Sequence, residues 1–246
     1  MALLLSGCVG APEAGTAPAE TTVPTATLPP TTSTTMLAWG PLSFERSDQV
    51  FERTETVQIG IGDLDGDGDV DAVFANMGAH ESAVWLNDGD GFFVDSGQAL
   101  TEQGHGVGVG DLDGDGDLDA AITCAHLLAG GGWSNLPSLV YLNDGTGMLS
   151  DGDRDLGDGG LSGVALHLLD VDGDGSLDIY VEYYEPDGQA DRVYLNDGAG
   201  GFSDSGLLLG DDEIAWGDPD GDGDLDLLGK RYGEGYLVRR NDGSGR

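Results

Sequence analysis

From residue 57 onward, apolar side chains fall on every second position. Val57, Ile59 and Ile61 alternate with polar or small residues, as do Val107 and Val109. The same period continues through Val70, Ala72 and Phe74; Leu118, Ala120 and Ile122; Leu177, Ile179 and Val181; and Leu225 and Leu227. A period of two predicts β-strands with one face toward a core. Each of these last four runs starts at the eighth position of an acidic string and continues past it: DLDGDGDVD at 63–71, DLDGDGDLD at 111–119, DVDGDGSLD at 170–178 and DPDGDGDLD at 218–226. A second signal follows each string: WLNDGDGFF at 85–93, YLNDGTGML at 141–149, YLNDGAGGF at 194–202 and RRNDGSG at 239–245. Asn-Asp-Gly after an apolar run is a tight hairpin turn, because these residues tolerate positive φ.

The strings start at 63, 111, 170 and 218, a spacing near fifty residues. Each unit reads strand, Asp loop, strand, variable loop, strand, NDG turn, strand. A four-stranded antiparallel meander of that size is a propeller blade, so the fold expected is an all-β propeller. The last unit runs out at NDGSGR, whereas PLSFERSDQVF at 41–51 resembles the fourth strands GFFVDSGQAL and GFSDSGLLL. Phe44, Phe93 and Phe202 then align, with Leu149 at the same place. Residues 42–51 are therefore expected to complete the last blade and close a ring of four. That would remove an open sheet edge. A partial propeller that dimerises and a fragment of a larger ring are the alternatives.

The first thirty-six residues follow a different rule. Leu5-Ser6-Gly7-Cys8 resembles the lipobox of prokaryotic lipoproteins, which implies cleavage before Cys8 and lipidation of its thiol. Only seven residues precede Cys8, without Lys or Arg, which is short for a signal. Residues 9–36 are rich in Thr, Pro and Ala and predict an extended stalk without a core. The organisation expected is a truncated signal at 1–8, a stalk at 9–36 and the propeller at 37–246. No later segment is long and apolar enough to span a membrane. The localisation expected is the cell surface, with the membrane reached only through the lipid anchor.

Charge narrows the partners. The formal net charge is −37. Nucleic acid and anionic membrane would be repelled, whereas divalent cations and basic surfaces would be attracted. Forty-four glycines argue for many turns and against long helices. The two cysteines, Cys8 and Cys124, sit in unlike contexts and suggest no disulfide. Cys124, in AAITCA, reads as a small core residue.

The acidic strings carry the chemistry. Carboxylates stand at positions 1, 3, 5 and 9 in all four copies: Asp63, Asp65, Asp67 and Asp71; Asp111, Asp113, Asp115 and Asp119; Asp170, Asp172, Asp174 and Asp178; Asp218, Asp220, Asp222 and Asp226. Glycines at positions 4 and 6 let the backbone fold tightly around one point. A hard cation taking six to eight oxygens is calcium; magnesium demands a stricter octahedron, and zinc is disfavoured without Cys or His. Position 7 holds Asp69, Asp117, Ser176 and Asp224; a site that used the backbone carbonyl there, as calcium loops do, would tolerate Ser176. An EF-hand would need Glu at position 12, where Phe74, Ile122, Val181 and Gly229 stand.

The DxDGDGxxD loop between strands, followed by an LNDGxGxF hairpin, resembles the FG-GAP and VCBS-type repeats of bacterial and archaeal surface proteins. These are similar to the calcium-binding blades of the integrin α-subunit propeller. The resemblance covers about 42–246. It implies a propeller with up to four calcium ions, held by Asp at positions 1, 3, 5 and 9 and by the carbonyl at position 7. The literal Phe-Gly and Gly-Ala-Pro pieces of the integrin repeat are absent.

The function expected is a surface interaction or adhesion module with structural calcium and a protein or glycan ligand. Polysaccharide processing or another propeller chemistry, and a passive spacer, are the alternatives. No nucleophile motif or phosphate loop occurs, and His80, His105, His126 and His167 fall at unlike places, so catalysis is not expected. The variable loops after the second strands would carry binding. Trp133, Tyr183, Tyr184, Arg231 and Tyr232 are the candidates, since aromatics and Arg dominate hot spots; packing between blades is the competing role.

Overall fold

The computed structural model describes residues 45–51, 55–78, 80–125, 136–183, 190–210, 213–231 and 235–243. The chain divides into two units, residues 1–47 and residues 48–246. The second unit is all β, with four antiparallel sheets and no helix among the described residues.

The first sheet is a meander of β1 (Glu55–Gly62), β2 (Asp71–Met77), β3 (Glu81–Asn87) and β4 (Phe93–Glu102). The second holds β5 (Gly104–Gly110), β6 (Asp119–Cys124), β7 (Leu139–Asn143) and β8 (Leu149–Asp155). The third holds β9 (Gly163–Leu169), β10 (Asp178–Tyr183), β11 (Asp191–Asn196) and β12 (Phe202–Leu209). The fourth has three strands, β13 (Glu213–Gly217), β14 (Asp226–Arg231) and β15 (Gly235–Arg239). Strands fall where the period of two put them. Each acidic string links the first and second strands of a sheet, and each NDG turn follows the third.

Sheets pack face to face, β1 and β2 against β5, and β5 and β6 against β9. The first joint buries Val73, Val84, Val107, Ile122 and Tyr141 in one cluster. The second buries Val140, Leu166, Ile179, Val181 and Tyr194. The third, between the third and fourth sheets, buries Tyr180, Val193, Leu209 and Leu227. At roughly 25 cal/mol per Å² of apolar surface, these faces are the main source of stability. Close approach explains glycines on the first strand of a unit: a Cβ on Gly108 would stand 2.6 Å from Leu166 Cδ2.

Two expectations change at the ends of the stack. Val57, Ile59 and Ile61 lie on β1 as expected, but they are exposed, as is Val70. Their counterparts Val107, Leu118 and Leu177 are buried or partly buried, because a preceding sheet covers them. The alternation fixes which residues share a face, not whether another sheet lies against it. Residues 45–51, expected in a strand completing the last unit, lie outside any strand, and β15 pairs only with β14 among the described strands. Within the second unit, Gln49 and Phe51 instead sit on the first sheet. Gln49 Nε2 donates to Phe93 O at 2.6 Å and its Oε1 accepts from Phe93 N at 3.0 Å. Phe51 packs on Phe74, Trp85 and Phe93 with ring centroids 5.2, 5.1 and 5.9 Å apart.

Candidate metal centres

Each acidic string folds by the same internal hydrogen bonds. In the first loop Asp63 Oδ2 accepts from Gly68 N at 3.0 Å, and Asp67 Oδ1 accepts from Asp69 N at 2.9 Å. Asp65 Oδ1 accepts from Asp67 N at 3.3 Å. The second loop repeats these at 3.1, 2.9 and 3.3 Å through Asp111, Asp115 and Asp113. The turn needs left-handed backbone at Gly66 and Gly68, with φ of 74° and 96°, where a side chain would be strained.

Three carboxylate groups converge in every copy, with one oxygen from each within 4.8 Å of the others: Asp63, Asp65 and Asp71; Asp111, Asp113 and Asp115; Asp170, Asp172 and Asp178; Asp218, Asp220 and Asp222. These clusters can hold a metal ion. A carboxylate has about four acceptor directions, so one or two N–H bonds leave room for a cation. Asp63 Oδ1 is buried without a hydrogen-bond partner. An all-oxygen donor set with an orphaned buried carboxylate oxygen fits a hard cation. The position 5 residues Asp67 and Asp174, and the position 9 residues Asp119 and Asp226, fall outside these tightest groups, although each belongs to the same loop scaffold.

Position 7 behaves differently from its neighbours. A Cβ on Gly89 would stand 2.5 Å from Asp69 Oδ2, and one on Gly145 would stand 2.6 Å from Asp117 Oδ2. Ser176 Oγ lies in the same way by Gly198, and Asp224 by Gly243. These four side chains lie beside the hairpin glycine, and the third copy keeps a carboxylate cluster with Ser at this position.

Position 9 is more than a ligand candidate. Asp71, Asp119, Asp178 and Asp226 are buried. Asp71 accepts from Leu64 N at 2.8 Å and from Asn87 N at 2.7 Å. Asp119 accepts from Leu112 N and Asn143 N, and Asp178 from Val171 N and Asn196 N. The buried carboxylate thus ties the Asp loop to the hairpin of the same sheet. Burial holds the Asp119 and Asp178 carboxyls above the usual carboxylate range; their N–H bonds oppose this, and the neighbouring loop carboxylates add to it. Asp65 and Asp113 are raised as well, first by burial and further by the charges beside them. A bound cation would relieve that repulsion.

The hairpin asparagine has a role that its turn signal did not reveal. Asn143 Nδ2 donates to Leu118 O of its own sheet at 3.0 Å and to Leu64 O of the preceding sheet at 2.6 Å. Asn196 does the same to Leu177 O and Leu112 O, and Asn241 to Leu225 O and Val171 O. The recurrence of NDG was the available signal, but its long-range partners are set by packing.

Among the ligand-binding candidates, Tyr183 is corrected. It is 3% exposed, its hydroxyl lies 2.8 Å from that of Tyr194, and its N–H donates to Asp191. Burial pushes its phenol up, and it serves the core. Arg231 ends β14 opposite Gly235. Trp133, Tyr184, Tyr232 and Cys8 lie outside the described residues, as does Phe44.

Residues 63–122, the first acidic loop through β6, match the family described as an FG-GAP-like repeat. No curated protein matches the chain. The segment matched holds two acidic loops and the hairpin between them, and the same loop and hairpin recur in the two later sheets, which supports an FG-GAP repeat protein.

Proposed function

We propose that the chain is a calcium-binding β-propeller module of the cell surface, in which the metal is structural and the loops mediate adhesion or ligand binding. The observation that carries the reading is the fourfold recurrence of one carboxylate cluster on one hydrogen-bonded scaffold. In this reading the Cys8 thiol carries a lipid anchor, and residues 9–36 hold the module off the membrane. The ligand is a protein or glycan met by the loops after β2, β6, β10 and β14, which include Trp133, Tyr184 and Tyr232. The module binds without turning its ligand over.

Extracellular modules bind calcium with Kd of about 10⁻⁴–10⁻³ M. At about 1 mM free calcium, a site of Kd about 10⁻⁴ M adds about 1.4 kcal/mol by mass action. Four such sites would add about 5–6 kcal/mol, or roughly 10–20 °C in Tm for a chain of this size. Thermal unfolding with calcium and with chelator, together with metal content by mass spectrometry, tests this. An unchanged Tm on chelation refutes the calcium reading. A glycan and peptide array then tests binding, and loss of capture by W133A or Y184A would locate the surface.

A further inference from the structure

The two ends of the stack carry the two halves of the joint that links its interior sheets. In the first joint a Cβ on Gly60 would meet Val109 at 2.7 Å, and one on Gly62 would meet Leu118 at 2.6 Å. In the second, Gly108 and Gly110 lie equally close to Leu166, Leu168 and Leu177. Each of these two joints thus sets small residues of one sheet against branched residues of the next; at the third, the same two positions of β9 hold His167 and Leu169, which face Ile214 and Trp216. On the first sheet the branched half is unused: Ile59 and Ile61 are 51% and 66% exposed. On the fourth sheet the small half is unused. A Cβ on Gly217 would meet nothing within 4 Å, and Leu228 and Val238, in register with Ala215, are 49% and 55% exposed.

The hydrogen bonds are unmatched in the same sense. Asn143, Asn196 and Asn241 each clamp the second-position carbonyl of the preceding Asp loop, at 2.6, 2.8 and 2.6 Å. Among the described residues, the Asn87 side-chain amide donates only within its own sheet, to Val70 O at 3.2 Å. Pro219 supplies the one second-position carbonyl that no hairpin asparagine reaches.

The outer strands point the same way. Gln98 of β4 brackets the second sheet, donating to Gly147 O at 2.7 Å and accepting from Leu149 N at 2.8 Å. Gln49 brackets Phe93 of the first sheet in the same way. Residues 49–51 therefore hold the place of an outer strand belonging to a sheet ahead of β1. Meanwhile a cavity of about 260 Å³ opens between the third and fourth sheets, lined by Leu195, Leu207, Trp216, Leu227 and Arg239. Between the first and second sheets the corresponding space is filled by Leu149, the first residue of β8. A cavity of about 150 Å³ already accepts benzene, so an aromatic residue opening an outer strand beside β15 fits.

We propose that two copies of this chain associate head to tail, Ile59, Ile61 and Asn87 of one meeting Ala215, Gly217 and the Pro219 carbonyl of the other. A second copy is favoured over closure within one chain because both ends stand open in the same molecule. The first two joints are locked by side chains with no exposure, such as Val73, Val84, Ile122, Ile179 and Val181. Bringing the ends of one chain together would re-angle those joints; a second copy meets each end as it stands. Two such contacts close a dimer, since a heterologous contact forms a ring when its rotation closes.

Light scattering after gel filtration in calcium tests this on the full chain carrying Cys8→Ser. The expected mass is twice that of the chain. Ile61→Asp and Val238→Asp should each give monomers, and their equimolar mixture should recover a dimer, which also shows that both variants are folded. A monomeric parent chain, or a dimer indifferent to both substitutions, overturns the proposal. Independently of how those variants fold, the Asn87→Cys/Pro219→Cys pair should oxidise to a species of doubled mass on a non-reducing gel. An intrachain disulfide, or none, overturns it. Metal content is read separately, so failure here leaves the calcium reading standing.

Discussion

Replacing Asn196 by alanine removes three hydrogen bonds at the joint between the second and third sheets. The Nδ2 donates to Leu112 O at 2.8 Å and Leu177 O at 3.0 Å, and Oδ1 accepts from Gly198 N at 3.0 Å. A net bond contributes about 1 kcal/mol, so the loss is about 3 kcal/mol. The bond to Leu112 O is buried, and leaving that carbonyl unpaired adds up to about 1 kcal/mol more. Asn87→Ala is the matched control. Asn87 has the same turn bond, from Gly89 N at 3.2 Å, but its amide reaches only Val70 O, at 3.2 Å in an exposed setting. Losing these two bonds should cost about 2 kcal/mol. The difference of about 1–2 kcal/mol corresponds to roughly 2–8 °C in Tm for a chain of this length. Urea unfolding in calcium, at a dilution where the chain is monomeric, measures both. Equal losses at the two positions would refute the idea that the hairpin asparagine joins one sheet to the next.

Other outcomes follow from the same geometry. Asp119 and Asp178 have folded pKa values above the ordinary one, so in chelator their contribution is greatest below the unfolded value and is lost as pH rises through the folded value. The metal-free protein should gain Tm as pH falls from neutral through the folded values of these two groups, whereas the calcium form should lose it as protons displace the ion; parallel profiles would count against this. Burial raises the Cys124 thiol to about 11, with Thr101 Oγ1 3.4 Å from its sulfur. In a Cys8→Ser background it should resist thiol reagents at mildly alkaline pH until urea unfolds the chain, and rapid labelling of the native protein would contradict its burial. Gly108→Val should cost about 1–3 kcal/mol by overpacking against Leu166 and Leu168, measured by urea unfolding. Ser176→Asp, by contrast, should leave metal stoichiometry unchanged.

The sequence alone determined the strands, the order within each sheet and the four acidic loops. These depend on short-range rules: a period of two along a strand, and carboxylates and glycines acting within nine residues. It also separated position 7 from its neighbours, because Ser176 stands where the other copies have Asp; the structure sets that side chain beside the hairpin glycine. Tertiary structure decided what lies against each face. Ile61 and Val109 occupy the same place in the pattern, yet only Val109 has a sheet covering it. The candidates split in the same way: Tyr183 is core because Tyr194 and Asp191 lie across its sheet, which no local signal records. The reach of Asn143 to Leu64, across seventy-nine residues, likewise belongs to packing. A loop's chemistry is written in its own residues, whereas burial and long-range hydrogen bonds require the partner that folding brings beside them.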